Sequence, residues 1–234
     1  MIAGPNGSGK STIYDELASN FNLGTYVNPD EIQQSLDLNG FLDLKLFNLS
    51  RISMAEFDKF QFDHPLINKS HVEGFTLDLT LEGSKIYSNQ DEHSYEAALL
   101  SDYIRTKLIK EGKRLTFETV MSHPSKIEIL QTSQLKGYKN YLYFIGTESP
   151  LINIDRVKKR VKQGGHDVDT VRIKDRYYKS MSLLKKAIKN SYRAFIFDNS
   201  ERKAELILEV FDAVDITYHY KEVPIWIDKY IFSN

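Results

Sequence analysis

The 234-residue chain contains no cysteine, which excludes disulfides, thiolate metal ligands and cysteine nucleophiles together. No apolar run approaches the roughly 20 residues that a membrane-spanning helix needs, and no basic-then-apolar leader opens the chain, so a cytoplasmic protein with no membrane attachment is expected. Repeats and low-complexity tracts are lacking too. His64, His71, His93 and His123 have no metal-ligand spacing with one another, which argues against zinc. What remains suits a packed α/β chain: 41% of residues are hydrophobic and 12% aromatic, too many for a disordered polymer.

The net charge of −1 conceals an asymmetry. Between Leu151 and Arg193 stand thirteen Lys or Arg against four Asp or Glu, a local excess of +9, and the remainder carries −10. A basic third in a near-neutral chain suits a phosphate-rich ligand. It also reads simply as a solvated, lysine-rich helix face. No aromatic stacking platform accompanies it, which ranks nucleic acid low.

Periodicity predicts a strand end at Met1–Ala3 and a helix over Ser11–Phe21 with Ile13, Leu17 and Phe21 at core spacing. A short strand at Thr25–Asn28 precedes a second helix, with Asn28, Pro29 and Glu31 as N-cap, N1 and N3. Residues 41–92 lack a steady period apart from an alternating strand at Phe75–Leu81, and read as an insertion. Helices follow at Ser94–Glu111 and Pro124–Lys136, strands at Arg114–Glu118 and Tyr138–Gly146. Basic helices run from Ser149 to Gln163 and on to about Ser191. A buried strand at Ala194–Phe197, one or two more strands and a helix near Pro224–Tyr230 complete the chain. Strands alternating with helices predict a three-layer α/β sandwich with a mostly parallel sheet and helices on both faces; the glycine-rich stretch Gly4–Ser11 makes it the P-loop NTPase type. We expect one domain over 1–234, the insertion at 41–92, and basic lid-like helices at 151–193.

Gly4-Pro5-Asn6-Gly7-Ser8-Gly9-Lys10-Ser11 fits G-x-x-x-x-G-K-[ST] between a strand end and a helix start. Glycines let successive amides point at phosphate, and the helix that continues through Thr12 adds its dipole. Lys10 is expected to reach the β- and γ-phosphates of ATP or GTP, and the Ser11 hydroxyl to ligate Mg²⁺. Only three residues precede Gly4, fewer than the usual strand of about 5–6. A form extended upstream is therefore expected to be more stable.

Five further motifs occur in order: Asn-Pro-Asp-Glu at 28–31, Phe-Glu-Thr at 117–119, Asn-Ile-Asp-Arg-Val at 153–157, Arg-Val-x-x-Gly-Gly-His-Asp-Val at 160–168 and Phe-Asp-Asn-Ser at 197–200. Together with the glycine-rich loop they resemble the zeta-toxin family of P-loop kinases, over residues 1–40 and 93–200. The resemblance implies transfer of a phosphoryl group from ATP to a hydroxyl of a UDP-linked amino sugar, and a small antitoxin that blocks the nucleotide site. Asn199 and its neighbours Asp198 and Ser200 would then lie near the nucleotide base.

By the same resemblance Asp30 is the base that deprotonates the acceptor. An acid in a helix's first turn also stabilises the dipole with no catalytic part. Glu118 and Thr119 would hold the substrate or help place Asp30; an ordinary polar strand end is the alternative. Arg156, Arg160, Arg172 and Arg176 flank Gly164-Gly165-His166 and suit the charge that builds up in phosphoryl transfer. Arg160 and Arg176 are favoured, Lys158, Lys159 and Lys162 face solvent, and His166 orders the loop. Two places depart from the family pattern. Asp169-Thr170 replaces a proline–glutamate pair, and Lys174-Asp175-Arg176-Tyr177 replaces a denser arginine run. The insertion either sets the acceptor or is a decorative subdomain with its own core. A kinase with a metabolite, nucleotide or RNA-end acceptor, or a non-catalytic nucleotide-binding switch, fits the same loop.

Overall fold

A computed structural model describes residues 1–49, 52–164 and 167–233. Gly165 and His166 of the basic-segment motif lie outside the described residues. Among the described residues the first half runs β1 (Ile2–Ala3), α1 (Lys10–Asn20), β2 (Thr25–Val27), α2 (Pro29–Asn39), β3 (Phe41–Asp43), α3 (Met54–Phe62), α4 (Pro65–Val72), β4 (Leu79–Glu82), β5 (Lys85–Ser88) and α5 (Ser94–Lys110). The second half runs β6 (Leu115–Thr119), α6 (Ser125–Leu135), β7 (Tyr141–Gly146), α7 (Pro150–Lys162), α8 (Thr170–Lys189), β8 (Arg193–Asp198), β9 (Glu205–Phe211), β10 (Asp215–Tyr218) and a single turn, α9 (Ile225–Ile227), that continues as a π-helical turn to Phe232. None of these helices is long and apolar enough to cross a membrane.

Contacts divide the chain into two units, Met1–Phe21 with Glu118–Asn234, and Asn22–Phe117. In the first, strands pair in the order β10, β9, β8, β7, β1, β6. β1 runs parallel to both neighbours, with Ile2 opposite Glu118 on β6 and Tyr143 on β7. β8 is parallel to β7, and only β9 and β10 turn back antiparallel. β7 carries Leu142, Phe144 and Ile145 at or near zero exposure, the near-continuous apolar run of a strand covered on both sides. Ile2, Ile13 and Ile145 form a small cluster that pins the start of α1 onto β1 and β7. A buried Ile contributes about 1.5–3 kcal/mol, and Ile13 is the sole buried residue of α1. Phe21 is not the core residue its spacing predicts. The helix stops at Asn20, Phe21 turns extended, and its ring is 64% exposed.

α7 and α8 pack through Ile154, Val157 and Ile173, with Val161 and Val168 at the margin. Their apolar stripes recur at helical spacing, which leaves the opposite faces to lysine and arginine.

In the second unit β2 pairs in parallel with Leu115–Phe117, the first residues of β6. α2 starts as its sequence dictates: the Asn28 side chain accepts the Asp30 amide at 3.1 Å, Pro29 opens the helix, and Glu31 Oε1 accepts from Asn28 Nδ2. The span 41–92 contains a three-stranded antiparallel sheet in the order β3-β5-β4. Its strand begins at Leu79 rather than Phe75, because the amide of Phe75 bonds to Ser70 O and its ring packs on Tyr95. Among the buried residues of this span are Leu42, Leu44, Leu49, Phe57, Leu79, Leu81 and Ile86. Phe57 meets Tyr103 of α5 edge to face at 5.0 Å. Glu56 on α3 is tied to Lys107 and Lys110 on α5 at 2.5 and 2.8 Å.

Candidate functional site

β1 stops at Ala3 and α1 starts at Lys10, so the glycine-rich motif is the loop between them. Three glycines, Gly4, Gly7 and Gly9, stand at positive φ where a Cβ would clash, and the first and last show why. Gly4 sits at φ 147°, where a Cβ would collide with the Ile145 carbonyl oxygen. Gly9 caps α1 at φ 95°, where a Cβ would run into the Asn199 amide. Both conformations lie where L side chains are disfavoured. The Pro5 carbonyl draws the loop closed: it accepts from the Ser8 amide at 3.2 Å and from Lys10 Nζ at 3.1 Å. Amides of Lys10, Ser11 and Thr12 occupy the first turn of α1, where no intrahelical acceptor exists and the helix dipole favours an anion.

β6 supplies the next layer of the site. The Gly4 amide donates to Thr119 O at 3.2 Å, and the Ser11 hydroxyl donates to Glu118 Oε2 at 3.5 Å. The buried carboxylate of Glu118 therefore stands beside the hydroxyl expected to hold a metal. The Thr119 hydroxyl accepts from the amide of Met121, a fully buried residue in the left-handed region at φ 54°. That bond shapes the turn beyond the strand.

Asp30 lies in the first turn of α2, exposed, with its amide capped by Asn28. It belongs to the second unit. Its carboxylate is well placed to interact with the α2 dipole.

The four arginines separate. Both terminal nitrogens of half-buried Arg156 are engaged, Nη1 with Asn199 O at 2.6 Å and Nη2 with Glu201 O at 2.7 Å. The fork expected to meet phosphate holds the turn after β8 instead. Arg160 and Arg172 are exposed on α7 and α8, and Arg176 is half-buried. Asp175, the acid that replaces a family cation, pairs with Lys179 one turn on at 2.7 Å.

Thr147, Asn153 and Tyr177, given no role from the sequence, build up behind the loop, and the 198–200 turn expected near the nucleotide base joins them. Asn153, fully buried on α7, donates through Nδ2 to Asn6 O at 2.7 Å and accepts the Thr147 hydroxyl at Oδ1. Tyr177 of α8 donates to Thr147 O at 2.6 Å, and burial raises its phenol pKa well above the ordinary value. Asn199 donates through Nδ2 to Ser8 O at 2.8 Å while its own amide bonds to Gly146 O. Asp198 Oδ1 accepts both Ser200 Oγ and the indole N–H of Trp226, whose ring fills the space a Cβ on Gly146 would need. For Thr147, Asn153 and Tyr177 the available sequence signal was Asn153 itself, an amide between two isoleucines, since a buried polar group needs a partner.

The residues present fit a triphosphate. The loop has glycine-only backbone at three points, a lysine, an open helix start, and a hydroxyl backed by a carboxylate. Among the described residues Ser8 Oγ, fully buried in the loop, has no hydrogen-bond partner. It is a spare donor.

No protein-family model matches the chain. An uncharacterized protein of Haemophilus influenzae is 35% identical over 69 residues, a stretch that covers 30% of this chain and 49% of that one. Among solved structures, the AvrRxo1-ORF1:AvrRxo1-ORF2 complex with sulphate ions superposes with a TM-score of 0.56 at 16% identity. The match covers 93% of this chain and 60% of the other. The same complex solved with ATP gives 0.56 and 16%, with 93% and 59% covered. The PezAT chromosomal toxin-antitoxin system of Streptococcus pneumoniae gives a TM-score of 0.50 at 14% identity, covering all of this chain and 79% of that one. The chain thus spans about half of the curated relative and about 60% of the AvrRxo1 chain. The fold is zeta-toxin-like, a mixed α/β architecture built on a mostly parallel sheet.

Proposed function

We propose that the chain is a Mg²⁺-dependent kinase that transfers the γ-phosphoryl group of ATP to a hydroxyl of a small molecule, with a UDP-linked amino sugar as the first candidate. The observation that carries this reading is the loop itself, closed by Pro5 O onto Ser8 and Lys10 at the start of α1, with Ser11 against Glu118. Lys10 would leave its bond to Pro5 O for the β- and γ-phosphates. The loop from Gly4 to Gly9, with Ser11 and Thr12, would bind the phosphates, chiefly through the amides of Gly7, Gly9, Lys10, Ser11 and Thr12, because Pro5 has no N–H and the amides of Gly4 and Ser8 are held by Thr119 O and Pro5 O. Ser11 would ligate Mg²⁺ with Glu118 behind it; when bound, the ion neutralises charge across the β- and γ-oxygens. The place of Glu118 beside Ser11 favours this metal side over contact with the sugar, and leaves Thr119 as the brace for Gly4.

Asp30 is the acceptor base in this reading, on the strength of the family resemblance. Arg160, Arg172 and Arg176 are the arginines offered to the transferring phosphoryl group. The carboxylate of Asp175, engaged with Lys179, takes less from their field than its sequence position suggests. Catalysis of this kind is positioning and electrostatics rather than covalent chemistry. A cytoplasmic setting and a small antitoxin-like partner belong to the same proposal. The AvrRxo1 and PezAT structures are named as a complex and as a toxin-antitoxin system respectively.

The deciding experiment is transfer from γ-labelled ATP with Mg²⁺ to a panel of UDP-sugars, nucleosides and RNA, run beside Asp30→Asn. Label on a UDP-amino sugar that disappears in the variant supports kinase and base alike. Binding of ATP with slow hydrolysis, indifferent to Asp30→Asn and without any labelled acceptor, would turn the assignment toward a nucleotide-binding switch.

A further inference from the structure

The crest of the glycine-rich loop is held from outside by two side-chain amides. Asn153 Nδ2 donates to the Asn6 carbonyl at 2.7 Å, and Asn199 Nδ2 donates to the Ser8 carbonyl at 2.8 Å. Between them Gly7 lies so close to α7 that a Cβ would stand 2.7 Å from Asn153 O and 3.1 Å from Val157 Cγ2. Neither amide is loosely placed. Asn153 is fully buried, with its Oδ1 fixed by the Thr147 hydroxyl. The backbone of Asn199 is fixed twice, by its N–H on Gly146 O and by Arg156 on its carbonyl.

A planar trans peptide makes these bonds consequential. The carbonyl of one residue and the N–H of the next share a plane and point in opposite directions. With Asn6 O held toward α7, the Gly7 N–H points away from α7. With Ser8 O held toward Asn199, the Gly9 N–H points away from the turn after β8. Gly7 and Gly9 are free of the Cβ that would fix their backbone otherwise, so the two external bonds select the peptide orientation.

We infer that Asn153 and Asn199 are positioning residues that aim the Gly7 and Gly9 amides at the phosphates of the bound nucleotide. This deepens the nucleotide-site reading proposed above and rests on it. It also gives Arg156 a task through Asn199: the guanidinium that holds Asn199 O and Glu201 O keeps the second amide in place.

The test uses the full chain and two probes, ATP and inorganic triphosphate, each with Mg²⁺, read by calorimetric titration. Asn153→Leu and Asn199→Leu are near-isosteric and uncharged, so neither repels an anion; Asn153→Ala and Asn199→Ala stand in for any leucine variant that does not fold. Asn140→Ala is the matched control. Its amide bonds Leu130 O and Asn190 O just before β7 begins, at the opposite end of that strand from Gly146. We expect each loop variant to bind triphosphate about tenfold more weakly, the size of one well-aligned bond. The melting temperature without ligand should fall no further than in Asn140→Ala, which keeps wild-type affinity. Folded variants within twofold of the wild type would overturn the inference, and so would an equal affinity loss in Asn140→Ala. A wild-type chain that binds neither probe would instead remove the nucleotide site and the positioning role with it.

Discussion

Ser11 Oγ donates to Glu118 Oε2 at 3.5 Å although 107 positions separate the two residues. The parallel pairing of β1 with β6, with Ile2 opposite Glu118, creates that proximity. It joins a hydroxyl suited to Mg²⁺ to a carboxylate that can accept from a metal-bound water. Groups that orient a first layer of ligands commonly matter by 10–100-fold in metal affinity. Glu118→Gln should therefore raise the Mg²⁺ concentration for half-maximal nucleotide turnover about tenfold, and leave nucleotide binding without metal unchanged. An unaltered Mg²⁺ titration would return Glu118 to the acceptor.

Arg156 and Arg172 are predicted to fail in different assays. Arg156→Ala leaves the Asn199 and Glu201 carbonyls without their donor, at about 1–2 kcal/mol, or about 3–6 °C in melting temperature for a chain of this length. Arg172→Ala removes an exposed side chain, so its melting temperature should match the wild type while phosphoryl transfer falls. Equal melting temperatures for the two variants would contradict the assignment of Arg156 to the turn.

Acid should loosen the second unit through Glu56. The hydrogen bonds from Lys107 and then Lys110 hold its carboxyl below the ordinary glutamate value of 4.5. A carboxyl depressed in the folded state lends stability that is present above its unfolded pKa and lost as pH falls through the folded one. The loss belongs below about pH 4.5. Because Glu56 is partly exposed, solvent screening keeps its contribution near 1 kcal/mol. Glu56→Gln should lower stability at pH 7 by about that amount and flatten this acid limb in chemical denaturation followed by circular dichroism. A variant as acid-sensitive as the wild type would assign the limb to other carboxyls.

Much of the architecture was legible wherever local chemistry decides it. Asn28, Pro29 and Glu31 open α2 as cap, first and third residue, and the apolar run of β7 announces a buried strand. The glycine-rich loop was legible because its conformations exclude side chains. Local patterns could not reach the partners supplied by topology. Nothing in the sequence says that the fork of Arg156 meets two carbonyls beyond β8, or that Asn199 turns toward Ser8. In 41–92 the strands are three or four residues long; the alternating run at 75–81 betrayed part of β4, while β3 and β5 are too short for a period to show.

The chain has one tryptophan, Trp226, and nature has placed it as an optical reporter. Its indole N–H is bonded to Asp198, the residue next to Asn199, and its ring lies against Gly146, whose carbonyl receives the Asn199 amide. A ligand that shifts this turn shifts the indole's polar contact, and intrinsic emission registers it without a dye or a label. The second unit contains no tryptophan, so with excitation beyond the tyrosine band the signal originates from the half of the molecule that carries the loop.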